Sequence, residues 1–254
     1  LAGDGSTPVE AFATLEAIAS LPDLQVQAAL GAVFGCPFGD ATPLEKTLAY
    51  ARRAMELGAS SLGLGDSAGM ADPIHTERIL RGILERFRPE QISLHILFAT
   101  SECAPFIKTG GLADVAGALP KALAGNGHDV RVILPLYEGI GEEWRSQMTY
   151  LQCFHITLAW RSPYCGIFEL KRDGVTYWFV DNEYYFKRSN IYGHYDDGER
   201  FAYFSRAVVE SMGWLNWHPD VLHCNDWQTA LVPIYLLEER HRIPQLCDTK
   251  SVFT

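Results

Sequence analysis

Apolar positions recur at helical spacing in the first part of the chain. A helix is predicted from Thr42-Pro43 to Gly58, because apolar side chains recur three or four positions apart at Leu44, Leu48, Ala51 and Met55. Thr42 is expected to cap it, with Pro43 at the first helical position and Glu45 closing a capping box. Predicted elements then follow as a strand at 61–64, a helix from Asp72-Pro73 and a strand at 92–100. This alternation predicts parallel strands joined by crossover helices.

The second part repeats this order around an insertion. A strand at 94–100, a helix at about 111–123 and a strand at 130–134 make a Rossmann-like opening unit. Residues 150–182 alternate in polarity on either side of a turn predicted at Asp173-Gly174, which indicates antiparallel strands. Four further elements are predicted: a helix at 199–214, a strand at 221–224, a helix at 228–240 and a strand at 251–254.

Aromatic content divides the chain into two regions. Residues 1–93 contain one Tyr, four Phe and no Trp, whereas residues 94–254 contain all six Trp. No linker rich in Pro, Gly or Ser separates the two regions. We therefore predict two domains, 1–93 and 94–254.

Composition and charge exclude several classes of protein. With 48% hydrophobic and 20% charged residues, the chain is typical of folded globular proteins. A net charge of −10 argues against binding to nucleic acid or to an anionic membrane. The sequence shows no apolar run long enough for a membrane span and no secretory signal, so we expect a cytoplasmic protein without membrane contact. The six cysteines form no CxxC pair and are expected to be reduced.

A lysine and two glycines stand between the first strand and the first helix of the second region, in the segment 108–115, KTGGLADV. Gly110 and Gly111 permit a tight turn, the helix start presents free N–H groups, and Lys108 adds a mobile cation. Together they predict a pocket for a phosphate or pyrophosphate. A plain glycine turn with a solvated lysine is the alternative interpretation of these residues.

A second motif, HCNDW at 223–227, ends a predicted buried strand, where α/β sheets present ligand groups. Asp226 could instead simply cap the following helix, and Trp227 is expected in the core rather than as a sugar platform.

Residues 96–254 resemble the N-terminal catalytic domain of bacterial glycogen synthases and plant starch synthases, through KTGGLADV, HDVRVILPLY, ERFAYFSRAVVE and the HCNDW box. The resemblance implies a retaining glucosyltransferase of the two-Rossmann-domain (GT-B) type. Such an enzyme moves glucose from ADP-glucose to the non-reducing end of an α-1,4-glucan and requires no cofactor. By the same resemblance Lys108 contacts the nucleotide-sugar, and Gly110, Gly111 and Asp114 belong to the same substrate-binding loop.

The resemblance also implies residues near the interdomain cleft. His223 and Asp196 are the catalytic candidates, and Asn225 and Asp226 are substrate-binding candidates. Asp196 aligns with a family aspartate near the glucosyl unit, although the adjacent Asp197 leaves the register open. An exposed acidic loop is the alternative interpretation of this segment.

Residues 1–95 carry a second resemblance, to an internal part of hydroxymethylglutaryl-CoA lyase, a metal-dependent TIM-barrel enzyme. It rests on GCPF at 35–38 and LGDSAGMADP at 64–73 within residues 25–95. A catalytic or substrate-orienting role is implied for Asp66, at the end of a barrel strand. The family's His-x-His-Asp metal motif keeps His95 but has Leu97 at its second histidine. We therefore expect a site for Mg²⁺ or Mn²⁺ only in a complete lyase, and no functional metal at His95 here.

The predicted fold is α/β, a Rossmann-like N-terminal domain of a GT-B glycosyltransferase preceded by a βαβα fragment of a TIM-barrel lyase. The two are expected to share the strand at 92–100. The predicted function is that of a glycogen or starch synthase, incomplete and inactive as this chain. The alternatives are a carbon–carbon lyase of the hydroxymethylglutaryl-CoA type, or a fragment that binds a nucleotide-sugar without activity.

Overall fold

The computed structural model describes residues 7–22, 26–31, 33–34, 42–64, 73–87 and 93–254, with the side chains at 73–77 left aside. The chain divides into two compact units. The first unit comprises Leu1–Leu94 with Asn126–His128, and the second comprises His95–Gly125 with Asp129–Thr254.

Helices and short parallel strands alternate in the first unit. Its elements are α1 (Pro8–Ala19), β1 (Gln27–Leu30), α2 (Leu44–Glu56), β2 (Ser61–Leu64) and α3 (Pro73–Leu84). Strands β1 and β2 pair in parallel, with Gln27 opposite Ser61. The predicted βαβα order is therefore confirmed, but β2 pairs with β1, a strand that the sequence analysis did not assign, and not with the strand predicted at 92–100.

The helix starts in the first unit differ from the prediction. Pro43, rather than Thr42, is the N-cap of α2, and no side chain caps this helix. Pro43 keeps an extended ψ of 139°, so helical geometry begins only at Leu44. A capping box occurs instead at the start of α1, where the sequence analysis predicted no helix: Thr7 and Glu10 bond reciprocally there.

A seven-stranded sheet forms the centre of the second unit, in the order β5-β6-β7-β4-β3-β8-β9. Its strands are β3 (His95–Ala99), β4 (Asp129–Pro135), β5 (Thr149–His155), β6 (Tyr164–Arg172), β7 (Val175–Asp181), β8 (Val221–Cys224) and β9 (Lys250–Phe253). Its helices are α4 (Gly111–Gly125), α5 (Glu142–Arg145), α6 (Glu183–Phe186), α7 (Asp197–Trp214) and α8 (Val232–Glu239).

Parallel pairs join β7, β4, β3, β8 and β9, whereas β6 runs antiparallel to both β5 and β7. The predicted turn at Asp173-Gly174 connects β6 to β7 with φ values of 52° and 77°. The predicted α/β class, with a mainly parallel sheet and an antiparallel insertion, is confirmed.

Two predicted elements are interrupted. The expected shared strand at 92–100 is divided: Ser93 donates its N–H to Leu62 in the first unit at 2.9 Å, while β3 pairs with β4 and β8. The expected helix at 228–240 is also broken, into a 3₁₀ turn at Trp227–Thr229 and α8. Pro233 explains why this helix is broken: a proline lacks an N–H and is tolerated only in the first turn of a helix, so α8 begins at Val232.

Aromatic side chains fill the core around this sheet, including the fully buried Tyr177, Trp178 and Phe179 of β7. The cysteines that the structure describes are free thiols, at positions 103, 153, 165, 224 and 247. In the described ranges, none of the helices has the length and apolar character needed to cross a membrane.

Candidate functional site

Two loops leave the same edge of the sheet in the second unit. Strand β3 ends at Ala99 and leads to the loop that carries Lys108, Gly110 and Gly111, here named the lysine–glycine loop. Its parallel neighbour β8 ends at Cys224 and leads to Asn225. The carboxyl edge of a parallel sheet is where α/β proteins bind ligands, because the loops there converge. The two motifs singled out in the sequence therefore lie at one edge of one sheet.

A buried carboxylate that the sequence analysis missed holds the lysine–glycine loop. Glu102 is 3% exposed. Its Oε1 accepts the Thr109 hydroxyl at 2.7 Å, and its Oε2 accepts the N–H groups of Thr109 and Gly110, the latter at 3.2 Å. Burial by itself would raise the pKa of Glu102, but these donors and the Tyr192 hydroxyl outweigh it and lower the pKa. Glu102 is therefore a carboxylate at neutral pH.

The cation of the loop is paired. Lys108 Nζ donates to both carboxylate oxygens of Asp114, at 2.6 and 2.8 Å, and each side chain is more than half exposed. An exposed pair of this kind contributes about 0–1 kcal/mol, so an incoming anion can compete for the lysine. The structure thus makes Asp114 the partner of Lys108.

The two glycines leave open space beside the loop. A Cβ added at Gly110 or Gly111 would meet no atom within 4 Å. The N–H groups of Thr109 and Gly110 are already occupied, because both donate to Glu102. The free N–H groups expected at the helix start are those of the first turn of α4, which have no helical partners.

Asn225 ties three strands together. It is 3% exposed, and its Nδ2 donates to the Ala99 carbonyl of β3 at 3.0 Å and to the His223 carbonyl at 3.2 Å. Its Oδ1 accepts the Thr254 hydroxyl at 3.2 Å. These bonds hold the ends of β3 and β8 in register beside β9.

His223 is held as a neutral imidazole. Its ring packs against Phe98 with centroids 4.7 Å apart, and its Nε2 lies 3.1 Å from the Thr254 hydroxyl. Burial lowers the pKa of His223, since a charged imidazole would lose solvation there.

The capping alternative for Asp226 fits the structure. Its Oδ1 accepts the Trp227 N–H at 2.7 Å, and its backbone has a positive φ of 61°. That left-handed residue turns the chain at the end of β8. Trp227 is consequently 51% exposed and lies edge-on to Phe201 at 5.0 Å, so the expectation that Trp227 belongs to the core is wrong.

Both carboxylates of the 196–197 pair have defined partners. Arg188 donates two hydrogen bonds to Asp196, at 2.6 and 2.8 Å, and this guanidinium lowers the Asp196 pKa. Asp197 accepts the fully buried Arg200 at 2.6 Å and the Gly193 N–H at 2.8 Å. With its side chain 8% exposed, Asp196 does not lie in an exposed acidic loop.

Tyr192 links these parts and was likewise missed from the sequence. Its hydroxyl donates to Glu102 at 2.8 Å and lies 2.6 Å from the Ser101 hydroxyl. The centroid of its ring lies 5.8 Å from that of Phe201 and 6.2 Å from that of Trp227. The lysine–glycine loop, Tyr192 and the Trp227 turn therefore form one connected site.

The lyase resemblance gave two candidates, Asp66 and His95. Asp66 falls outside the described residues, so its role stays a prediction. His95 lies at the amino end of β3, where its Nδ1 is 3.4 Å from Asp220 and its Nε2 is 3.9 Å from Asp129. Leu97, at the position of the missing histidine, is fully buried. In the part of the chain that the structure describes, no group of three or more His, Cys, Asp or Glu could hold a metal ion.

Known proteins match the second unit. The family model for the starch synthase catalytic domain matches residues 95–254. The glycogen synthase of Geobacillus thermodenitrificans is 56% identical over 162 residues, which are 63% of this chain and 33% of that protein. The catalytic domain of starch synthase IV from Arabidopsis thaliana, solved with ADP and acarbose, matches at 31% identity with a TM-score of 0.58. That match covers 63% of this chain and 33% of the other.

A solved hydroxymethylglutaryl-CoA lyase, from Bacillus subtilis, also matches, at 29% identity over 56% of this chain and 43% of its own. Its TM-score of 0.36 is too low to support a statement on fold. The lyase identity of the first unit stays a prediction. The chain spans about a third of the length of the curated relatives that it matches.

Proposed function

Since the chain belongs to the starch synthase catalytic domain family, we propose that its second unit binds the ADP part of ADP-glucose. This unit would thereby provide part of the donor site of a retaining glucosyltransferase that extends an α-1,4-glucan. The observation that carries the proposal is the pairing of Lys108 with an exposed, displaceable carboxylate beside open space at the start of α4.

Chemistry at the lysine supports a diphosphate rather than a neutral ligand. Lys108 would exchange Asp114 for phosphate oxygens, and the resulting charge-assisted hydrogen bonds are stronger than an exposed ion pair. The first-turn N–H groups of α4 and the positive end of its dipole favour the same charge. Gly110 and Gly111 leave room for the phosphates to approach the backbone.

The sugar would lie toward the end of β8. A neutral imidazole at His223 can donate or accept a hydrogen bond to a sugar hydroxyl without repelling the donor's reacting carbon. The half-exposed Trp227 offers an apolar surface to a sugar ring, and Asp196 remains a candidate near the glucosyl unit. The proposed transfer uses no metal or organic cofactor, and a cytoplasmic location is part of the proposal.

Calorimetry with ADP tests this assignment. We expect Lys108→Ala to weaken ADP binding by about 1.5–3 kcal/mol, because a charge-assisted hydrogen bond is lost. Lys121→Ala is the matched control: Lys121 lies on α4, after the loop that carries Lys108, and pairs with Asp173 at 2.8 Å, so its removal should leave ADP affinity unchanged.

Two results would overturn the proposal. One is wild-type protein that binds no ADP, and the other is equal affinity in the wild type and Lys108→Ala. Transfer of labelled glucose from ADP-glucose to glycogen separately tests the expectation that this chain binds donor without turnover.

A further inference from the structure

We propose that Glu102 is a positioning residue for the diphosphate: its carboxylate sets the shape of the lysine–glycine loop while contributing no favourable charge to the ligand. This inference rests on the proposed binding of ADP at Lys108. Glu102 touches the loop backbone, and nothing in the proposal requires it to contact the substrate.

The carboxylate is committed to the loop. Three donations come from Thr109 and Gly110, through two backbone N–H groups and one hydroxyl, and a fourth comes from the Tyr192 hydroxyl. Few neutral side chains could replace it, because two convergent N–H groups and two hydroxyls require an acceptor-only group with two oxygens. The bonds fix the backbone directly between Lys108 and the start of α4.

The sign of the charge makes the arrangement informative. A buried anion beside a site for an anion repels the ligand, and Asp114, the ion-pair partner of Lys108, adds a second negative charge. A carboxylate in this position is useful only if the loop geometry it maintains contributes more to binding than its charge costs. Glu102 and Asp114 are thus two nearby carboxylates with opposite expected effects on ADP affinity.

Tyr192 extends this control to the rest of the site. Its hydroxyl bonds Glu102, while its ring packs near Phe201 and Trp227. The position of the loop is thereby connected to the turn that follows β8, where the sugar is proposed to lie.

ADP affinity of the 254-residue chain, measured by calorimetry, distinguishes positioning from charge. We expect Glu102→Gln to weaken ADP binding about tenfold, although it removes a negative charge. The new amide NH₂ is itself a donor, so it cannot accept hydrogen bonds from the loop N–H groups that it would face. Asp114→Asn is the matched control. It removes the same charge without touching the loop backbone and frees Lys108, so it should strengthen ADP binding.

Two conservative variants sharpen the test and remain informative if Glu102→Gln fails to fold. Thr109→Val and Tyr192→Phe each delete one hydroxyl that donates to Glu102, and each should weaken ADP binding by a smaller factor. ADP binding that is unchanged or tighter in Glu102→Gln, or unchanged in both hydroxyl variants, would overturn the proposal.

Amide hydrogen exchange provides a readout that does not depend on ADP. The N–H groups of Thr109 and Gly110 should exchange slowly in the wild type and faster in Glu102→Gln, under conditions in which both proteins are folded. If the wild type binds no ADP, the proposed function fails, and the exchange rates still decide whether Glu102 holds the loop. Equal exchange in both proteins would contradict that role.

Discussion

The two units of this chain build their interiors from different side chains. In its described residues, the first unit packs two four-residue strands and three helices around small and aliphatic residues such as Ala51, Ala54 and Leu62. The second unit packs a seven-stranded sheet around large rings, among them Trp178 and Tyr203. A two-stranded sheet is marginally stable unless helices cover it, whereas a wide sheet with a large buried core is stable by itself.

This difference explains where a binding site can be built. The polar site requires Glu102, Asn225 and Arg200 to be buried, and burial of such groups costs free energy even when they are hydrogen-bonded. The aromatic core of the second unit offsets that cost. The core formed by the described residues of the first unit is smaller and has less free energy available for a comparable arrangement.

The largest expected effect comes from truncating a core ring in the second unit. Phe179 is fully buried and meets Phe106 edge-to-face at 5.1 Å. Phe179→Ala should lower the free energy of unfolding of this unit by about 3–5 kcal/mol, through lost burial and a residual cavity. Urea unfolding followed by tryptophan fluorescence measures it, because all six Trp lie in residues 94–254.

Leu62→Ala is the matched change in the first unit. Leu62 is fully buried there, and its truncation should cost about 2–5 kcal/mol. If the two cores are separate, the tryptophan transition stays in place while far-ultraviolet circular dichroism shows an earlier loss of helix. A tryptophan transition that shifts with Leu62→Ala would show that the units unfold together.

Sequence reasoning was reliable where periodicity determines structure. Helices α2, α3, α4 and α7, the main parallel strands and the turn at Asp173-Gly174 were predicted because their spacing or turn chemistry is local. Helix α1, strand β1 and the short helices α5 and α6 were missed. Boundaries were less reliable. Pro43 retained extended geometry, and Pro233 interrupted a helix that apolar spacing alone predicted as continuous.

The site was only half predictable, for a different reason. Lys108 and the two glycines form a contiguous motif, but Glu102 and Tyr192 meet only in the folded chain, 90 positions apart. The signal available for Glu102 was a glutamate within three residues of the end of a buried strand. Its role depends on which N–H groups converge on it, and a single sequence does not contain that information.

A middle-sized effect compares one glycine from each unit. Gly58 has a φ of +99°, and Gly174 has a φ of +77°. Alanine at Gly174 would meet only Ala124 at an ordinary 3.8 Å, so backbone strain alone should cost about 1–2 kcal/mol. Alanine at Gly58 adds a 3.1 Å contact with Ala19 to the same strain and should cost more.

Chemical denaturation of Gly58→Ala and Gly174→Ala, with Gly198→Ala as the control, measures these costs. Gly198 lies within α7 with open space at its Cβ, and alanine there should stabilise by about 0.4–1 kcal/mol. A Gly174→Ala protein at least as stable as the wild type would refute the strain argument.

The smallest expected effect concerns His95, the first residue of the second unit, and tests where the boundary between the units lies. The pKa of His95 is raised, first by its hydrogen bond with Asp220 and also by the charges of Asp220 and Asp129, against burial and Arg131. A raised pKa means that folding favours the protonated ring. The stabilisation is therefore complete below the unfolded value of about 6.5 and is lost as the pH rises through the folded value.

The wild-type stability curve mixes this effect with its opposite. Burial lowers the pKa values of His128, His218 and His223, so these residues destabilise the fold as the pH falls. The informative quantity is the difference in unfolding free energy between the wild type and His95→Gln. We expect this difference to be largest below pH 6.5 and to shrink toward pH 8.

Because Trp217 lies edge-on to His95, with ring centroids 6.0 Å apart, tryptophan fluorescence reports the unfolding of the unit that contains His95. The same comparison in an Asp220→Asn background should be nearly flat with pH, since the main partner of the charged ring is gone. A difference that grows with pH would mean that His95 is neutral in the folded unit. A pH dependence seen only in the transition of the first unit would place His95 on the other side of the boundary.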